Sequence, residues 1–396
     1  MPIVRANTNR HRIPRAVLFA VAIFAFTAIG AAAQSDKPAH TPTPLGAPLD
    51  ITVPANPAAF KAAGAWHLVY ELHIANLGKW DCQLTKIEVL SSDRAASPLA
   101  TFAATDLEAI ITHPGQDNAE KTKIAPGSFA IAYLWLTFDH PLSVPAKIQH
   151  RMAMKIGNYP EAITLEGVLV AVNKDPITVI SPPLRGENWL AGNGPSSVSI
   201  HRRALIPVGG RARIAQRYAI DWVQLYPDGK TFHGDAKDNR SYSAYGAEIH
   251  AVADGVVTQT KDGIQQNVPN EKPAVPITLD TIGGNHAIVD IGNGHFAFYA
   301  HMQPGSLRVK SGDHVRRGET LGLVGNSGNS SEPHLHFHLC DSSSELACEG
   351  VPYAFAAFDL QGNGWTWKQS EPPAAPPAKR ELEIPAENDV VRFPAP

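Results

Sequence analysis

The sequence predicts an all-β protein of about two domains, the soft expectation for 396 residues. Three observations predict the class. Apolar and polar residues alternate over short runs, as in Trp66-His67-Leu68-Val69-Tyr70-Glu71-Leu72-His73-Ile74, and period two sends successive side chains to opposite faces of a strand. The runs are broken by 31 glycines and 33 prolines, which suit turns better than helix interiors. Charged residues make up only 18% against 44% hydrophobic, a balance that builds cores without long solvated helices. The formal net charge of −3 gives no reason to expect nucleic-acid binding.

The chain opens with scattered arginines (Arg5, Arg10, Arg12, Arg15), an apolar run from Ala16 to Ile29, and Gly30-Ala31-Ala32-Ala33. A basic start, apolar middle and small residues before a cleavage point predict a signal peptide over 1–33. An uncleaved anchor is the alternative, since the apolar stretch is nearly long enough to span a bilayer. The expected location is periplasmic or extracellular, with no membrane span once the signal is cleaved. Residues 34–50 carry Pro38, Pro42, Pro44 and Pro48 and read as a Pro-rich linker.

Residues 51–190 are expected to form an antiparallel, immunoglobulin-like β-sandwich. Its strands include the run from Trp66, Cys82-Gln83-Leu84-Thr85-Lys86-Ile87-Glu88-Val89-Leu90, and Phe129-Ala130-Ile131-Ala132-Tyr133-Leu134-Trp135-Leu136. No useful cluster of ionisable groups is evident there, and its histidines (His67, His73, His113, His140, His150) are expected at the surface or at strand edges. Pro182-Pro183-Leu184-Arg185-Gly186 and Gly192-Asn193-Gly194-Pro195 mark breaks. A second β domain is expected over 198–370, and the Pro/Ala-rich residues 371–396 are expected to be a disordered tail. Cys340 and Cys348 are candidates for a disulfide in an oxidising compartment, while Cys82 reads as a core thiol.

Chemistry concentrates in the second domain. Seven of the 17 histidines lie between His286 and His338. His334 and His336 are two apart, so on a strand they share a face. One can hold a metal while its neighbour acts on what the metal binds. Asp221, in Arg217-Tyr218-Ala219-Ile220-Asp221-Trp222, and His301, closing Tyr299-Ala300-His301, complete the candidates. His250, His286, His295 and His314 lie near turns or strand ends and read as solvated.

Residues 215–340 resemble the lysostaphin-like, or LytM-type, zinc endopeptidases that cut peptide bonds in bacterial cell walls. The matching pieces are Ala219-Ile220-Asp221, Ala251-Val252-Ala253-Asp254-Gly255-Val256-Val257, Tyr299-Ala300-His301, the glycines at 312, 318, 322, 325 and 328, and His334-Leu335-His336-Phe337. The resemblance implies a C-terminal LytM-type β domain of the barrel-sandwich hybrid kind. It also implies a Zn²⁺ cofactor held by Asp221 and His336, with His301 and His334 flanking the bound water and the scissile carbonyl. Peptidoglycan peptide stems are the implied partner.

The family pattern has a histidine four residues before the aspartate, and this chain has Arg217 there. A guanidinium has no lone pair to give and stays protonated. His233, His201 or His338 are the replacement ligands open to the chain, or Arg217 pairs with Asp221 and no metal binds. Two functions follow as expectations: an exported zinc metallopeptidase, or an inactive LytM-fold module that binds wall or regulates a hydrolase. The hairpin with Gly312-Asp313 and Val315 to Gly318 also resembles those of biotin- or lipoyl-carrying domains, but those need a lysine at the tip of an exposed turn, and none stands in that setting here. Paired histidines on such frameworks also serve cytoplasmic phosphocarriers, which the export signal argues against.

Overall fold

The structure, a computed structural model, describes residues 46–116, 120–364 and 377–394. The predicted signal peptide, most of the predicted linker and residues 365–376 lie outside the described residues. The only α-helix among those described is Ala104–Ile110; nearly everything else regular is strand.

Two five-stranded antiparallel sheets form the first half. One contains strands Ala65–Asn76 and Phe129–Phe138, the other Cys82–Ser91 and Lys147–Ile156. Leu68, Tyr70, Leu72 and Ile74 alternate along the first strand and share one core with Leu84, Ile87, Val89, Met152 and Met154 of the facing sheet. Of the intervening residues, His67, Val69 and Glu71 are buried too, and His73 is partly exposed. Val69 packs into the core of the second half, and Tyr133 joins a small cluster with Ile214. The sheet bearing Ala65–Asn76 is therefore a middle layer, and polar residues that alternate along that strand, His67 and Glu71, are buried with the apolar ones.

The second half is built on an 11-stranded sheet. Its consecutive neighbours are Tyr353–Asn363, Asp389–Phe393, Gly186–Gly192, Ile220–Gln224, Leu335–Cys340, Phe296–Met302, Asn285–Asp290 and Gly255–Lys261. Thr178–Ile180 joins one edge in parallel with Tyr353–Asn363. Two of these strands, Thr178–Ile180 and Gly186–Gly192, come from the stretch expected to belong to the sandwich.

The chain's end corrects a second expectation. Instead of a disordered tail, Ala378–Glu383 and Asp389–Phe393 are strands of the large sheet. Val390, Val391 and Phe393 are buried, and Phe393 meets Trp222 edge-on at 5.1 Å between ring centres. The Pro/Ala composition masked a short apolar pattern, Val390-Val391-Arg392-Phe393, whose apolar residues find a core.

Several histidines also sit where the sequence reading did not put them. His67, His113, His150, His250 and His286 are buried rather than solvated. Each finds a polar partner: His150 lies between the Tyr70 hydroxyl at 2.9 Å and the Val168 carbonyl at 2.8 Å. Buried imidazoles satisfied in this way are packing residues. Cys340 and Cys348 form a disulfide, and Cys82 is a buried free thiol.

Candidate functional site

Four neighbouring strands lay down the floor of the site. Gly192 stands opposite Asp221, Asp221 opposite His336, and His336 opposite Ala300. Cross-strand partners share a face. The row therefore sets a carboxylate beside an imidazole at mid-sheet, with a small residue at each end. His336 Nδ1 lies 2.9 Å from Asp221 Oδ1. His334 shares that face two residues earlier, and its Nε2 lies 3.4 Å from the same oxygen. His338 follows two residues later and lies behind His336, with its Nδ1 3.0 Å from His336 Nε2. It is fully buried and reaches no carboxylate.

His301 arrives by a break in the strand pattern. Ala300 and His301 are consecutive, yet both line the same groove. Regular alternation would send them to opposite faces. His301 has φ +63°, the left-handed region that β strands avoid, and this kink turns its ring back to the face of Ala300. Its Nδ1 is 2.7 Å from the Ser327 carbonyl, so that nitrogen carries the proton and Nε2 keeps the lone pair. The Ser327 loop comes that close because Gly328, at φ +76°, crosses Gly284. A Cβ on Gly328 would stand 2.7 Å from the Gly284 Cα, so no side chain fits there. His334 is held in the same manner, its Nδ1 2.8 Å from the Glu332 carbonyl. The rings of His301 and His334 have centres 4.8 Å apart.

The remaining imidazole is His201, named in the sequence only as one of three replacements. It lies in a turn after Gly192-Asn193-Gly194-Pro195, with its Nδ1 3.0 Å from the Asn193 carbonyl. Its Nε2 lies 3.4 Å from Asp221 Oδ2, and its ring centre is 4.8 Å from that of His336. Asn193 also donates from Nδ2 to Asp221 Oδ2 at 2.9 Å, a contact with no signal in the sequence. Neither of the other two replacements meets Asp221: His338 stands behind His336. His233 is exposed, paired with Asp228 at 3.1 Å and stacked on Tyr226.

Donor atoms of His201, Asp221 and His336 all lie within 4.8 Å of one another. The chemistry of the set fits a divalent ion. The proton on His201 Nδ1 is fixed by the Asn193 carbonyl, so its Nε2 lone pair points at a carboxylate oxygen. A carboxylate oxygen and a ring nitrogen facing each other in a buried place need a cation between them, and a proton or a divalent ion fills that role. Two imidazoles and one carboxylate also make a three-ligand set that leaves a coordination position open. A second grouping, His338 with Cys340 and Cys348, offers no thiolate because its sulfurs are bonded to each other.

Charge follows the geometry. Burial would raise the Asp221 carboxyl, but the imidazoles of His201, His334 and His336 hold it well below its ordinary range. Burial lowers His336 to about 4 despite Asp221. Burial, with His334 and His336 adding to it, keeps His301 well below its ordinary value. Burial opposes protonation of His334 too, but Asp221 and the Glu332 carbonyl outweigh it and raise that ring. The cluster opens into a groove of about 490 Å³, whose far wall includes Phe298, Ser330 and Glu345. Burial and nearby Asp280 push the Glu345 carboxyl up to about 7. A larger cleft of about 880 Å³ lies against the first domain, but it holds none of the five clustered residues.

Arg217 does not pair with Asp221. Its Nε donates to Glu71 Oε2 at 3.0 Å, Nη2 to Glu349 Oε2 at 2.8 Å, and Nη1 to the Gly350 carbonyl at 3.1 Å. Glu71 comes from the middle sheet, in the half where no useful ionisable cluster was expected. The guanidinium is a junction between the two halves and faces away from the cluster. Arg217→His is therefore expected to gain no zinc in elemental analysis. It should instead cost about 3 kcal/mol or more in urea denaturation, because it leaves buried carboxylates without their cation.

The fold and this cluster define an all-β domain of the LytM type. Residues 241–347 match the profile of Peptidase family M23, and that part of the chain is an M23 domain; His201 and Asp221 lie ahead of the matched span. Over 136 residues the chain is 32% identical to the peptidoglycan DD-endopeptidase ShyA of Vibrio cholerae, covering 32% of this chain and 27% of the relative. It is 32% identical over 90 residues to the cell division protein DipM of Caulobacter vibrioides, covering 20% of this chain and 14% of DipM. The chain thus spans about a quarter or less of the length of these curated relatives. Among solved structures, the lysostaphin catalytic domain of Staphylococcus simulans aligns over 41% of this chain and 88% of its own, at 20% identity and a TM-score of 0.21.

Proposed function

We propose that this chain is an exported zinc metallopeptidase that hydrolyses peptide bonds in peptidoglycan cross-links. His201, Asp221 and His336 hold the ion, and His301 and His334 act on the reacting groups. The observation that carries the reading is the convergence of four imidazoles and one carboxylate on a single groove, with the Asn193, Ser327 and Glu332 carbonyls occupying Nδ1 of His201, His301 and His334 and so leaving their Nε2 atoms as the ones that serve the site. The ion, when bound, supplies a Lewis acid that lowers the pKa of a water and polarises an amide carbonyl.

The chain's own residues do the rest. His301 and His334 have locked tautomers and adjacent rings, so their Nε2 atoms stand ready to take a proton from the attacking water and pass one to the departing amine. An imidazole N–H beside the carbonyl also stabilises the charge that develops on its oxygen. His338 Nδ1 lies 3.0 Å from His336 Nε2; by accepting that N–H it would leave the Nδ1 lone pair of His336 for an ion, a supporting arrangement common around metal-bound histidines. Near-complete burial of the four rings keeps bulk water from competing.

Arg217 was the feature favouring a non-catalytic module. Its engagement by Glu71 and Glu349, together with His201 standing beside Asp221, supports the catalytic reading instead. The basic and apolar N-terminal stretch supports export, as does the Cys340–Cys348 disulfide. The reading is tested by incubating the protein, with and without added zinc, with purified peptidoglycan. Cross-linked muropeptides should convert to monomers, a metal chelator should stop the conversion, and zinc should restore it. An unchanged cross-linked fraction with zinc-loaded protein would refute the reading.

A further inference from the structure

The turn that carries His201 is anchored in the other half of the molecule. The next residue, Arg202, is fully buried, and its side chain enters the middle sheet of the sandwich. Nη2 donates to the Leu134 carbonyl at 2.7 Å and the Tyr70 carbonyl at 3.3 Å. Nε lies 3.4 Å from Glu71 Oε1. The guanidinium carbon lies 5.5 Å from the Tyr133 ring centre and 5.7 Å from that of Trp135, within cation–π range. Arg203 adds a bond from Nη2 to the Ala109 carbonyl at 2.8 Å. Every one of these partners belongs to the first half. His201 belongs to no strand, so no ladder of backbone bonds fixes it as the sheet fixes Asp221 and His336.

We propose that the sandwich domain positions the metal ligand His201 through Arg202, so that the zinc site of the second half is completed only by a side chain the first half holds in place. The proposal rests on the zinc reading above. Its physical basis is preorganisation. A ligand on a loose turn must be ordered each time the ion binds, and that lost freedom is subtracted from affinity. Arg202 has already ordered the turn, because its guanidinium donates to the buried Leu134 and Tyr70 carbonyls and shares the Glu71 carboxylate with Arg217, and withdrawing it would give up those contacts. Arg202 touches neither metal nor substrate and is a positioning residue.

The test uses the whole mature chain and zinc alone, with affinity measured by competition against a chelator and the Co²⁺ absorption spectrum as a second readout. Arg202→Met should weaken zinc by about 10- to 100-fold, the range for residues that support ligands, and should move the Co²⁺ bands toward those of His201→Ala. Arg202→Lys, which keeps the charge but has fewer donors, should fall between. In a His201→Ala background, Arg202→Met should cause no further loss, because the ligand it positions is gone. Wild-type affinity and spectrum in both Arg202 variants would overturn the proposal. So would an equal loss from Arg202→Met with and without His201. If Arg202→Met does not fold, Arg202→Lys and Glu71→Gln carry the same comparison in both backgrounds. A wild-type chain that binds no zinc at micromolar concentration would overturn the zinc reading itself, a result distinct from either of these.

Discussion

His336→Ala is expected to abolish release of muropeptide monomers and to lower zinc affinity by about 100- to 1,000-fold. The size follows from sharing roughly 10–16 kcal/mol of binding among a small set of ligands, so that one ligand accounts for about 3–4 kcal/mol, or two to three decades. His201→Ala should behave in the same way, which separates this site from one built on the family spacing alone. Asp221→Asn should lose zinc as well, since it removes the anion that three imidazoles surround. His338→Ala should do less, a loss of about 10- to 100-fold, because it supports a ligand without being one. Elemental analysis of the purified variants and chelator competition give the measurements. His201→Ala with wild-type zinc content would count against the ligand set.

Loss of His301 should split metal from chemistry. His301→Asn is expected to keep zinc at wild-type stoichiometry while kcat on cross-linked muropeptides falls about 100- to 10,000-fold, the span for removing a proton-transfer group. Asn is the better replacement here because it tolerates the left-handed backbone at φ +63°. His334→Ala should give a loss of similar size. The double variant should fall well short of the product of the two, since both rings act on one transition state. Zinc loss in His301→Asn would instead make that ring a ligand.

Strand periodicity made the fold class legible, and the His334-Leu335-His336 spacing made one wall of the site legible, because both depend on local rules. Asp221 was found through the resemblance, and its register opposite His336 follows from neighbouring strands in one sheet. What stayed hidden depends on contacts between distant segments. His201 has no periodic relation to Asp221. It reaches the site because Arg202 is drawn into a sheet whose strands are more than 60 residues away in sequence. Arg217 looked like a damaged ligand position because Glu71, 146 residues earlier, was not known to face it. The kink at His301 was hidden for another reason: Tyr299-Ala300-His301 reads as ordinary strand, and only φ shows that consecutive residues share a groove. The terminal strands were obscured by composition, since proline and alanine around Ala378–Glu383 and Asp389–Phe393 outweigh their short apolar pattern.

The most direct test is anomalous diffraction at the zinc edge from crystals of the mature chain soaked in zinc. One strong peak is predicted, bounded by the Nε2 of His201, the carboxylate of Asp221 and the Nδ1 of His336, with Arg217 still bound to Glu71 and Glu349. A peak that His201 does not touch, or no peak beside Asp221 at all, would contradict the account.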